Sequence, residues 1–86
     1  MKVIVDEVAG EGIVSFLGKT VTLLCANYFY TGKLVGVNDE CVKLEDAKIV
    51  YETGSYDSKE WKDAQKLPHD PWYVMKSSIE SFGIMK

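Results

Sequence analysis

The sequence predicts a mainly β fold: a short N-terminal helix, then five antiparallel strands of a small, strongly bent barrel. Three observations carry this. Apolar and polar residues alternate over Lys19–Ala26 and again from Cys41, the period of a half-buried strand. Gly32 and Gly36 lie inside a strand pattern, where glycine marks a sharp bend or a close backbone approach. Short polar turns separate the runs, and a strand that must bend hard belongs to a small barrel rather than an open sheet.

Taken in order, Val3-Ile4-Val5 reads as either a short strand or a packed extension. Ile13, Val14, Phe16 and Leu17 have helical spacing ahead of Gly18, which predicts about two turns of helix over Glu11–Leu17. Lys19–Ala26 is the first strand and Phe29–Val37 the second. Asn38-Asp39-Glu40 is the turn after it, because Asn and Asp bond their own backbone and tolerate left-handed conformations. Cys41–Tyr51 is a long third strand with a bend at Asp46-Ala47. Residues 53–70 break the pattern and form a variable loop, with a helical turn expected near Ser58. A loop of this length in a small domain is functional or mobile. Trp72–Lys76 is the fourth strand, opened by Pro71. Ser77-Ser78 is a tight connection, and Ile79–Met85 is the fifth strand.

With 86 residues, one domain with a modest core is expected over 1–86. No apolar run approaches the roughly 18 residues of a membrane span. The opening residues turn acidic after three apolar ones, unlike a secretory leader, so a cytoplasmic setting is expected. Cys25 and Cys41 make no disulfide framework. Cys25, Cys41 and the one histidine, His69, include no short-spaced pair, so no metal is expected. No cofactor motif is present. Nothing orients a Cys41–His69 nucleophile, and no acid pair stands out, so no enzyme activity is expected. The net charge is -3, from ten lysines, no arginine and thirteen acids. That composition argues against non-specific duplex binding. Single-strand binding remains open where lysines and rings converge.

Two segments together resemble the Sm-like family, which includes bacterial Hfq. Gly32-Lys33-Leu34-Val35-Gly36-Val37 followed by Asn38-Asp39 resembles its first motif, and Leu44-Glu45-Asp46-Ala47 is similar to the Leu-Asp-Ala ending. Val74-Met75-Lys76-Ser77-Ser78-Ile79-Glu80-Ser81-Phe82 resembles the second motif of Hfq, with Lys76 on its lysine, Ser77 on its histidine and Ile79 on its isoleucine. The likeness runs from Ile13 onwards. It implies an Sm-like (SH3-like) barrel closing into a homo-oligomeric ring through the edges of the fourth and fifth strands. It also implies binding of single-stranded RNA, with bases splayed and stacked.

Carried over by position, the pore-side RNA contacts are Asn38, Asp39, Cys41, Lys43, Lys76 and Ser77. The distal-face contacts are Tyr28, Phe29, Tyr30 and Thr31. Keeping Val42 and Leu44 in the core makes the turn one residue longer than the family's, and puts Cys41 at the base-stacking position and Lys43 at the base-reading one. Without that insertion the three places fall on Asn38, Glu40 and Val42. Neither register supplies a ring or imidazole for stacking. An alternative is therefore an oligomeric interaction or structural module on the same fold without RNA binding. A third is a monomeric SH3-like barrel.

Overall fold

The computed structural model describes residues 12–85; the expected Val3–Val5 segment lies outside them. Six strands form one antiparallel sheet: β1 (Thr20–Cys25), β2 (Phe29–Val37), β3 (Cys41–Glu52), β4 (Asp63–Lys66), β5 (Trp72–Met75) and β6 (Ile79–Gly83). The order is β4-β3-β2-β1-β6, and β5 also pairs with β3. Among the described residues no helix is long and apolar enough to cross a membrane.

The alternation read from the sequence builds the core. Val21, Leu23 and Cys25 of β1, Leu34 of β2, Val42, Leu44 and Ala47 of β3, and Val74 of β5 form one buried cluster. Each fully buried leucine in it contributes roughly 2–3 kcal/mol through apolar burial.

Two irregularities bend β2 and β3. Between the pairs Thr31↔Lys48 and Lys33↔Glu45, Gly32 faces both Asp46 and Ala47. Asp46 takes a left-handed backbone, φ 52°, as a short polar side chain can. Between Leu34↔Leu44 and Gly36↔Lys43, Val35 is the extra residue on β2. Bulges of this kind raise local twist and turn a sheet on itself. The bends fall where Gly32, Gly36 and Asp46-Ala47 predicted them.

Three expectations are corrected. The N-terminal helix is only a 3-10 turn, Ile13–Phe16. Gly12 and Gly18 flank it with positive φ, 76° and 86°, leaving too few residues to nucleate an α-helix. Its apolar spacing still serves packing: Ile13 and Phe16 lie against the core, and Phe16 meets Phe82 edge-on at 6.0 Å.

The five strands become six, because Asp63–Lys66 in the expected loop pairs with the second half of β3. Pro68 and Pro71 lack the amide hydrogens to continue that strand. Residues 67–71 instead pass over the Asp46 bulge, where Leu67 N–H donates to the Ala47 carbonyl at 2.9 Å and Asp46 N–H donates to Asp70 Oδ1 at 3.0 Å. The expected helical turn near Ser58 is a single hydrogen-bonded turn, Ser58 N–H to the Ser55 carbonyl.

The barrel is not closed. β5 pairs with β3 and β6 with β1, but β5 and β6 do not pair with each other. The 3-10 turn Lys76–Ser78 joins them, and each runs along a different neighbour.

Candidate nucleic-acid interface

The β2–β3 turn is built by Asn38. Its Oδ1 accepts the N–H groups of Glu40 and Cys41, each at 2.8 Å, and its own N–H donates to the Cys41 carbonyl at 3.0 Å. The carboxamide oxygen thus holds the turn rather than facing solvent unbonded. Val42 and Leu44 are fully buried, so the core takes the register that leaves Asn38-Asp39-Glu40 outside both strands.

This turn meets the connection between β5 and β6. Lys76 N–H donates to the Glu40 carbonyl at 2.8 Å. Below it, Cys41 stands opposite Met75 and Lys43 opposite Tyr73. Asn38, Cys41, Lys43 and Tyr73 line a hollow of about 220 Å³ with Gly36 and Val37. Asp39 and Lys76 are exposed beside it. Two lysines and the two acids Asp39 and Glu40 therefore share this end of the sheet, which is close to neutral.

Ser77 is next to Lys76 in the chain but faces elsewhere. It lines a separate hollow with Cys25, Tyr28, Tyr30 and Glu80. There burial, and secondarily the Glu80 carboxylate, push the Cys25 thiol above its ordinary pKa.

Tyr28–Thr31 do not form one surface. Thr31 is buried and its Oγ1 donates to the Val21 carbonyl at 3.0 Å. Tyr30 is half-buried and packs on the core; burial first, and then Cys25 and neighbouring tyrosines, raise its phenol pKa. Tyr28 and Phe29 remain accessible in part. Tyr28 meets Tyr51 edge-on, with centroids 5.6 Å apart and planes at 83°.

Three rings near these segments were not among the expected contacts. Tyr73 is 56% exposed and supplies an aromatic surface beside Cys41. Its signal was in the sequence: it alternates with the core residue Val74. Tyr51 and Tyr56 carried no such signal, because only folding brings their segments beside Tyr28. Neither family models, nor curated proteins, nor solved structures give a match to this chain.

Proposed function

We propose that the chain is an Sm-like protein that assembles into a homo-oligomeric ring and binds single-stranded RNA without catalysis. One observation carries the reading. The segment that resembles the second motif bonds, through Lys76 N–H, to the carbonyl of Glu40, the residue that follows the Gly32–Asp39 segment, at the junction of two strands that each keep an open edge. β5 and β6 have one strand partner apiece among the described residues. Open edges attract further strands, and head-to-tail pairing of β5 with a neighbour's β6 closes a ring when the rotation permits. Met75 on β5, Phe82 on β6 and Ile84 just beyond it are exposed apolar side chains that such pairing would cover.

In this reading Lys43 and Lys76 contact phosphates, and Tyr73 supplies the stacking surface that Cys41 lacks. Anisotropy titration of labelled A-rich and U-rich single strands tests it, alongside light scattering of the free protein. Salt-sensitive RNA binding by a multimer is expected. Absence of binding at low salt removes the RNA function, and a monomer at micromolar concentration removes the ring.

The second reading, a ring or other oligomer that serves only protein assembly, has its own support. Asn38 and Thr31, both expected RNA contacts, commit side-chain oxygens to the fold. Retained multimers without RNA binding would select it.

A further inference from the structure

Three tyrosines from three separate segments meet at one cleft. Tyr28 precedes β2, Tyr51 lies near the end of β3, and Tyr56 belongs to the connection between β3 and β4. They are 44%, 48% and 65% exposed. The cleft holds about 470 Å³ and is also lined by Phe29 and the buried Val50. Tyr28 and Tyr51 meet edge to face, so they offer an open aromatic corner rather than a closed stack.

The connection that carries Tyr56 is held in shape. Its two arms touch where Gly54, at φ +69°, approaches Lys62; a Cβ there would lie 3.2 Å from the Lys62 Cβ. Its tip is closed by the bond from Ser58 N–H to the Ser55 carbonyl and by the hydroxyl of Ser55 on Asp57.

Lys62 borders a second hollow as well, of about 480 Å³, together with Lys48, Lys59 and the half-buried Trp61; Glu60 and Asp63 also line it. Lys48 stands directly opposite Lys66 across β3 and β4, and Lys66 is turned to Asp46, 3.6 Å away. Lys48 and Lys59 have no ion pair among the described residues. Lys62 pairs with Glu52 at 3.2 Å, but both side chains are mostly exposed, so the pair is weak and exchangeable. An anion would offset the positive charge that Lys48, Lys59 and Lys62 bring to this hollow, and the adjoining rings favour one attached to a planar base.

We propose that the 53–62 connection forms a second contact for single-stranded RNA, with one unpaired base in the Tyr28–Tyr51–Tyr56 cleft and flanking phosphates on Lys62, Lys59 and Lys48. This rests on the RNA-binding reading above and adds a site remote in sequence from the β2–β3 turn. A strand is favoured over a free nucleotide because the rings and the unpaired lysines occupy adjoining hollows, which one nucleotide does not span.

The test is anisotropy titration of a labelled A-rich single strand, over a range of salt, with the full chain. Tyr56→Ala should weaken binding roughly five- to a hundredfold, the loss of one stacked base, and Tyr56→Phe should recover most of it. Lys48→Gln with Lys59→Gln should flatten the salt slope by about 0.7 for each lost phosphate contact. Tyr56 lies exposed in a loop, and circular dichroism checks that its variants fold. RNA binding that Lys76→Ala weakens but these variants leave intact overturns the second contact while sparing the function. Wild-type protein that binds no RNA at low salt overturns both. Adenosine monophosphate binding as tightly as the strand overturns the strand assignment.

Discussion

Thr22 and Thr31 stand opposite each other across β1 and β2, both buried, and their hydroxyls differ. Thr31 Oγ1 donates to the Val21 carbonyl at 3.0 Å, whereas Thr22 Oγ1 has no hydrogen-bond partner among the described residues. Valine has nearly the same shape and suits a strand. Thr22→Val removes an unsatisfied polar group and should raise stability by about 1 kcal/mol. Thr31→Val removes a made bond and should lower it by about as much. Urea unfolding of the two variants measures the difference. Equal shifts of the same sign would show that the two hydroxyls are equivalent.

Gly32 has no room for a side chain. A Cβ there would lie 3.0 Å from the Glu45 carbonyl oxygen and 3.2 Å from the Ala47 Cα, both backbone atoms of the bulged strand. Gly32→Ala should cost about 1–3 kcal/mol, because one strand must move. At Gly36 the nearest atom is the Lys43 Cβ at 3.4 Å, an ordinary contact. Gly36→Ala should therefore change stability by no more than about 0.5 kcal/mol. Thermal or urea melts that fail to separate the two would refute the close approach at the bulge.

The same bulge explains what could be read in the sequence and what could not. Gly32, Gly36 and Asp46 announced the bends because each is a residue type that a bend tolerates. Phe29–Val37 was legible end to end, closed by the Asn38 turn. The period of two then fails locally. Thr31 and Gly32 are consecutive, yet both are buried, because the bulged strand crowds one side while Thr31 bonds back to β1. That is why Tyr28–Thr31 looked like a surface and is not one. Asp63–Lys66 contains no β-branched or aromatic residue, so local preference favoured a loop; pairing with the far half of β3 makes it a strand, a tertiary effect. Ile13–Phe16 has helical spacing, but spacing says nothing about length, and the glycines at each end set that.

Cys25 makes stability depend on alkaline pH. Burial, with Glu80 nearby, holds its thiol neutral above the usual range, which begins near pH 8.5 in unfolded chains. Between that value and the raised native one, the native state keeps a proton that the unfolded state has lost. Stability from this source is therefore complete below about pH 8.5 and falls as pH rises further. Tyr30 is raised in the same direction, mainly by burial, and extends the loss above about pH 10. Cys25→Ala should lower stability at neutral pH through a lost contact, yet show a shallower decline between about pH 8 and 10. An unchanged slope in denaturant midpoints across that range would exclude Cys25 as the source.

The open edges give the sharpest test of assembly. Met75 and Ile84 are 51% and 57% exposed, at the end of β5 and just beyond β6. Neither belongs to the buried cluster, so charging them should alter the stability of the single chain by about 0.5 kcal/mol or less. If β5 of one copy meets β6 of the next, Met75→Lys and Ile84→Lys together bring like charges to the same junction. Each lost apolar contact should weaken association on the order of tenfold, and the repulsion should add to that. Met75→Lys with Ile84→Glu turns the repulsion into attraction and should restore part of the assembly. Light scattering across a dilution series distinguishes the pairs. Equal masses for the Lys/Lys and Lys/Glu variants would mean that the two edges do not meet.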